Sequence, residues 1–233
     1  MEFFCNYIWE KGLREKNEDS LCMRQAEIDG KNYFLAVVCD GIGGLEKGEH
    51  ASSFVVNSMA VFFKRLLKNK RRLPDRVIRN ACKREVYKCH RQLQRYGKEK
   101  GFRLGTTLSM LLIAGRTGYV FHVGDSAVFA GKKCIKRLTP IHQDKSGALL
   151  QAVGTGKNPT MFYKKIRLRR GMVLLLASDG FYRKSEHKIC REEWARRIEC
   201  SEKRIGELLM TVKENVQALG EKDNISAICV KVR

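Results

Sequence analysis

Leu35-Ala36-Val37-Val38-Cys39-Asp40-Gly41 is the stretch on which the reading of this chain turns. Five consecutive apolar residues leave no polar face for water, the pattern of a strand covered on both sides. The run stops at Asp-Gly, a pair that favours a tight turn. The same arrangement recurs at residues 172–177, a second buried-strand run that ends in Asp179-Gly180.

Working outward, residues 54–67 follow helical spacing, with Val55, Met59, Phe62, Phe63 and Leu66 on one face. Lys64, Arg65, Lys68 and Lys70 suit the negative end of that helix dipole. A second helix is expected to open at Pro74, with Asp75 beside it, an apolar face of Val77, Ile78, Ala81 and Cys82, and a heavily basic opposite face. Beyond Gly101 come short strand patterns at 106–114, 118–123, 127–130 and 134–138, punctuated by glycines, which predict a meander of antiparallel pairs. Helices are expected at 186–198 and 203–219, the second burying Ile205, Leu208, Leu209, Val212 and Val216, before a last strand at 224–232. Strands and helices come partly in blocks, so the expected class is α+β.

A length of 233 residues with 43% apolar content suits one sizeable domain. Without a linker or repeat, a single domain over residues 1–233 is expected. Nine cysteines include no Cys-x-x-Cys pair, and several, such as Cys39 and Cys229, sit inside apolar runs. That is the usage of reduced, buried thiols in a cytosolic protein, and the five scattered histidines do not complete a zinc site. No run is long enough to span a membrane, and residues 1–10 lack a charged n-region, so a cytoplasmic location without membrane insertion is expected. The net charge of +21 would attract nucleic acid, anionic membrane or acidic and phosphorylated proteins. A solvated basic surface is the plainer reading, and no aromatic interleaving accompanies the charge, so nucleic acid is not an expected partner.

Against 46 Lys and Arg there are 25 Asp and Glu, which makes the placement of acids informative. Asp40 and Asp179 each end an apolar strand before a glycine; Asp125 follows Gly124 at a strand end; Asp223 precedes the last strand; Glu18-Asp19 precede Leu21. Each alone is ordinarily a turn residue. Several carboxylates converging on a β scaffold are hard oxygen ligands of the kind Mg²⁺ or Mn²⁺ takes, and Gly41 is small enough to bring a backbone carbonyl to an ion. Unpaired carboxylates in a cluster repel without cations. Two divalent ions roughly 3.5–4 Å apart share a carboxylate and activate a water between them. Arg14, four residues before Glu18, carries a guanidinium that can grip a phosphate with two hydrogen bonds. No cysteine is expected in a Cys-x5-Arg phosphate loop. His122 alternates with Phe121 and Val123, the setting of a satisfied core histidine, and His142 is expected at the surface.

Taken in order, the segments Gly12-Leu13-Arg14 with Asn17-Glu18-Asp19, Val37 to Gly44, Gly105-Thr106-Thr107, Val123-Gly124-Asp125-Ser126, Leu138-Thr139, Ala152-Val153-Gly154, Ala177-Ser178-Asp179-Gly180 and Lys222-Asp223-Asn224-Ile225-Ser226 span nearly the whole chain. This ordered set resembles the metal-dependent protein phosphatase family (PPM, type 2C), especially its bacterial branch. The resemblance implies a central antiparallel β-sandwich flanked by helices, a four-layer α-β-β-α arrangement. It implies two Mn²⁺ or Mg²⁺ ions in a cleft, with Asp40 bridging them and the Gly41 carbonyl touching one. Asp179 and Asp223 would complete the first site, Glu18 or Asp19 the second through water, and Asp125 with Asp179 a weaker third. Arg14 would hold the substrate phosphate. The implied reaction is hydrolysis of phosphoserine or phosphothreonine by a metal-bridged hydroxide, and the implied partners are phosphorylated proteins and a cognate serine/threonine kinase in signalling. An alternative is a catalytically weak phosphoprotein-binding module of the same fold.

The chain departs from the family pattern in three places. Ile42 stands where some members carry a histidine proposed as general acid. Residues 139–154 are short where many bacterial relatives carry a longer flap. Ala127 follows Gly124-Asp125-Ser126 where an arginine is usual.

Overall fold

A computed structural model describes residues 1–42, 47–68 and 74–233. Gly43, Gly44 and Lys70, quoted above, lie outside the described residues. Among the described residues the strands are β1 (Phe3–Glu10), β2 (Asp19–Ile28), β3 (Lys31–Asp40), β4 (Leu108–Ala114), β5 (Thr117–Val123), β6 (Ala127–Gly131), β7 (Ile135–Arg137), β8 (Phe162–Arg167), β9 (Val173–Ala177) and β10 (Ile225–Val232). The helices are α1 (Gly48–Lys68), α2 (Asp75–Lys100), α3 (Asp179–Tyr182), α4 (Glu186–Ile189), α5 (Glu192–Arg197) and α6 (Glu202–Ala218).

The strands form two five-stranded antiparallel sheets, ordered β1-β10-β9-β6-β7 and β2-β3-β4-β5-β8. The apolar runs explain why both sheets are covered on both faces. Strand side chains alternate in direction. Phe34, Ala36 and Val38 of β3 therefore join Leu111, Val120, Leu174, Leu176, Ile228 and Val230 in the layer between the sheets. Leu35, Val37 and Cys39 point the other way and meet Val55, Met59, Phe63, Val86 and Leu93 of α1 and α2. On the far side, Phe129, Leu175, Ala177 and Cys229 pack on Phe181, Ile205, Leu209 and Val216. Three apolar layers thus produce the four-layer α-β-β-α sandwich that the resemblance implied.

The structure departs from several sequence expectations. β1, β2 and β8 were not legible because they are edge strands, half covered and therefore mixed in polarity, as in the exposed Lys164 and Lys165 of β8. The expected meander is interrupted: β4 and β5 pair as neighbours, but residues 124–126 carry the chain to the other sheet, where β6 pairs with β9. That crossover places Asp125 at the junction of the two sheets. Helix α1 opens at Gly48, earlier than the periodicity placed it. Val77, read as part of the apolar face of α2, is 42% exposed; Ile78, Cys82, Val86, Cys89 and Leu93 form that face instead. The helix expected over 186–198 is broken, because Arg191 is extended and caps a separate α5.

Leu176 is fully buried between the sheets. Leu176→Ala is expected to cost about 2–5 kcal/mol from lost transfer and the residual cavity. The same change at Leu150, which is exposed, should stay within about 0.5 kcal/mol. Urea unfolding midpoints compare the two.

Candidate metal centre

The register of β2 against β3 places Asp19 directly opposite Asp40. Directly opposed side chains in an antiparallel pair approach within about 5 Å, and like charges there repel. The backbone of Asp40 is held independently of its carboxylate. The Thr107 N–H and the Thr106 hydroxyl both donate to the Asp40 carbonyl (2.8 Å each), and the Asp40 N–H donates to the Thr107 hydroxyl (3.0 Å). Gly41 donates its N–H to the Glu18 carbonyl at 3.1 Å. A Cβ on Gly41 would lie 2.5 Å from the Gly48 carbonyl group and 2.7 Å from the Glu18 oxygen, so no side chain fits between β3 and α1.

Asp179 follows β9 in the other sheet, on the first turn of α3. A Cβ on Gly180 would fall 2.2 Å from the Asn224 carbonyl, so this turn lies against the loop that carries Asp223. Asn224 fastens the opposite loop. Its amide donates to the carbonyls of Lys11 (2.7 Å) and Lys16 (2.9 Å), and its side-chain oxygen accepts from the Glu18 N–H (2.8 Å). Residues 11–18, with Arg14 and Glu18, are thereby tied to the start of β10.

Two arginines stand on the flanks. Arg14 donates Nε and Nη2 to the two carboxylate oxygens of Asp223, at 3.0 and 2.9 Å. Arg183 places Nη2 2.7 Å from Asp179 Oδ2 and 3.6 Å from Asp125 Oδ2. The Gln143 amide donates to the same Asp125 oxygen, and the Tyr182 hydroxyl donates to the Asp125 carbonyl at 2.6 Å. Among the described residues, no three His, Cys, Asp or Glu side chains stand close enough together to grip one ion as they are; the flanking arginines hold Asp223, Asp179 and Asp125.

Among the described residues, no lysine or arginine forms an ion pair with Asp19 or Asp40 in the centre between these flanks. Both carboxylate oxygens of Asp19 are buried without a hydrogen-bond partner. Burial, then Asp179 and Asp223, push its carboxyl up to about 7, while the nearby hydroxyls of Ser226 and Ser178 oppose the rise. Asp40 is raised well above the usual carboxylate range, first by desolvation and then by Asp19, Asp179, Asp125 and Asp223. Burial and Asp179 lift Asp125 to about 6 against Arg183 and Gln143. Asp179 is raised by burial in spite of Arg183, and Glu18 is raised by burial and then by Glu49. Buried oxygens with neither donors nor counter-charge are short of cations, and an all-oxygen set of this kind fits Mg²⁺ or Mn²⁺.

The structure therefore brings Asp19, Asp40, Asp125, Asp179 and Asp223 together, with Glu18 and Arg14 at the rim and the Gly41 backbone wedged beside α1. Sequence reasoning missed Arg183 and Gln143. The sole signal for Arg183 was its spacing four residues after Asp179; nothing marked Gln143.

One further expectation is corrected. His142 is not at the open surface: its Nδ1 accepts from the Gly124 N–H and its own N–H donates to the Gly124 carbonyl, both at 3.0 Å. The short stretch 139–154 thus folds down against the Asp125 turn. The Cys-x5-Arg spacing does occur, as Cys89 to Arg95 and Cys190 to Arg196. The first lies within α2, with a buried thiol pushed up to about 11, and in the second Arg196 pairs with Glu192. Neither forms a phosphate loop. His122 is buried, its Nε2–H directed at the Gly124 carbonyl (2.9 Å) and its Nδ1 3.0 Å from the Ser109 hydroxyl.

The family model described as Protein phosphatase 2C matches residues 14–217, so the chain belongs to that family. The family comprises serine/threonine phosphatases, which are hydrolases and generally dependent on Mn²⁺ or Mg²⁺. The fold is similar to that of the serine/threonine phosphatase Stp1 from Staphylococcus aureus, with a TM-score of 0.83, 21% identity, and coverage of 100% of this chain and 96% of that one. It is also similar to PppA, a key regulatory component of T6SS in Pseudomonas aeruginosa (TM-score 0.77, 19% identity, coverage 100% and 99%). The Mycobacterium tuberculosis serine/threonine phosphatase PstP/Ppp is a third such structure (TM-score 0.77, 20% identity, coverage 99% of both chains). At these identities the likeness shows the fold. No curated protein sequence matches the chain.

Asp19 keeps its proton up to about pH 7 in the fold but to about pH 4 when unfolded. In ion-free buffer its burial therefore costs stability increasingly as pH rises from about 4 to about 7. The stability of Asp19→Asn relative to wild type is expected to rise across that window, measured as the difference in urea midpoint. The lowered imidazoles of His90, His122 and His142 destabilise the fold on acidification below about pH 6.5, but they do so in both proteins and cancel in the difference. A pH-independent difference would contradict the reading.

Proposed function

We propose that this member of the protein phosphatase 2C family hydrolyses phosphoserine and phosphothreonine esters of proteins at the carboxylate cluster, with two Mn²⁺ or Mg²⁺ ions held there. The observation that carries the proposal is the pair Asp19, fully buried, and Asp40, partly buried, opposite each other in an acidic pocket where at most the hydroxyls of Ser178 and Ser226 stand near Asp19. The residues that would hold the ions are Asp40, the Gly41 carbonyl, Asp179, Asp223 and Glu18 or Asp19.

When bound, such ions supply a water of lowered pKa as nucleophile. The chain's own groups supply the rest. Thr106 and Thr107 fix the backbone of Asp40, so its carboxylate keeps one direction. Arg14, half exposed and bonded to Asp223, has the fork geometry to grip two phosphate oxygens. Asn224 sets the position of the loop that carries it. Ile42 offers no proton, so the departing alkoxide takes its proton from water.

Phosphorylated proteins in the cytoplasm are the proposed substrates, with a serine/threonine kinase acting in the opposite sense in a signalling pair. Residues 1–233 are read as one domain. Among the described residues no helix is long and apolar enough to cross a membrane. The surplus of positive charge raises the encounter rate with phosphorylated substrates, an effect that weakens with salt.

Hydrolysis of a phosphothreonine peptide tests the proposal. Turnover is expected to require Mn²⁺ or Mg²⁺ and to fall on the order of 100-fold or more in Asp40→Asn and in Asp179→Asn. Arg14→Ala should lower kcat/KM by roughly 10–100-fold. A folded protein that turns over nothing with either ion, yet binds phosphopeptide, would establish the binding-module reading instead.

A further inference from the structure

Arg183 is a charged group at the edge of the centre that neither the ordered motifs nor the proposed chemistry uses. It sits one helical turn after Asp179, the spacing that sets side chains facing on a helix, and its backbone N–H donates to the Asp179 carbonyl at 2.8 Å. Asp179 and Asp125 come from different sheets, after β9 and β5 respectively. Their carboxylates are 13% and 11% exposed, and the Arg183 guanidinium is aimed at both. Asp125 Oδ2 also accepts from Gln143, and Tyr182 pins the Asp125 carbonyl. One oxygen of each converging carboxylate, Oδ2 of Asp179 and Oδ2 of Asp125, is thus already engaged by groups of this chain.

We propose that Arg183 is a tethered cation that holds Asp125 and Asp179 together in place of a third divalent ion. The resemblance implied a weak ion between these two carboxylates; here the charge is supplied by residue 183. The inference rests on the reading of a metal centre at Asp40. A guanidinium on the same helical turn meets its carboxylates at high effective concentration, whereas an ion held by two carboxylates and water has to displace it. Arg14 differs from Arg183 in this respect. It reaches Asp223 from a separate loop rather than from the same helical turn, although the two arginine side chains are about equally exposed. Arg183 is thus a positioning residue. It fixes the outer oxygen of Asp179, one of the proposed ligands, and leaves the ion count of the centre lower by one.

Equilibrium dialysis with Mn²⁺ alone, at neutral pH and without substrate, tests this in wild type, Arg183→Met, Arg183→Lys, Asp125→Asn and the double variant Arg183→Met with Asp125→Asn. Wild type and Asp125→Asn should bind the same number of ions. Arg183→Met should bind one more ion, with weaker affinity than the rest, and the double variant should lose it again. Arg183→Lys retains a cation and should match wild type, which keeps the test informative if the methionine variant folds poorly. A count that falls by one in Asp125→Asn alone, or stays unchanged in Arg183→Met, would overturn the inference while leaving the metal centre standing. No Mn²⁺ bound by folded wild type would overturn the metal-centre reading and the inference together.

Discussion

The pairing of β2 with β3 forces two carboxylates to face each other, Asp19 buried and Asp40 partly buried. Most of the architecture at this end of the sandwich answers that constraint. Neither residue can turn to solvent without giving up the register that buries Val37, Val38 and Cys39. Among the described residues, neither has an ion pair with a lysine or arginine.

The fold keeps that site in shape through interactions that do not depend on an ion. Three apolar layers fix where strands β3, β5, β9 and β10 end. Backbone groups then do the fine placement: the threonines hold the carbonyl of Asp40, the missing Cβ of Gly41 lets α1 approach, and Asn224 ties the Arg14 loop to β10. Ligand positions that depend on rigid elements and backbone contacts are more precise than positions set by flexible side chains. The two flanking arginines, both half exposed, complete the electrostatics, one from a loop, the other on the same helical turn as its partner Asp179.

Much of this was legible in the sequence, for identifiable reasons. Asp40 and Asp179 announced themselves because each ends a run buried on both faces, a pattern that few other segments can produce. The helix α6 was legible because Ile205, Leu208, Leu209, Val212 and Val216 repeat at helical spacing. The edge strands β1, β2 and β8 were not, because an edge alternates between cover and solvent and carries no continuous apolar signal. The path of β5 to β6 between sheets was invisible because a three-residue crossover and a hairpin turn look alike locally. His142 and Gln143 belong to a short irregular stretch whose contacts are set by tertiary folding. Arg183 was hidden among many basic residues, and its partner Asp125 lies far away in the chain and in the other sheet.

A thermal melt with and without Mn²⁺ at neutral pH, in wild type and Asp40→Asn, tests the central claim most directly. Excess ion at about 100 times its Kd stabilises the folded state by about 2.7 kcal/mol, which for a chain of this size corresponds to a rise in Tm of roughly 5–10 °C. The account predicts that rise in wild type, little or none in Asp40→Asn, and a higher ion-free Tm for the variant than for wild type, because one of the repelling charges is gone. Equal shifts in the two proteins, or none in either, would mean that the buried carboxylates are not a divalent-cation site.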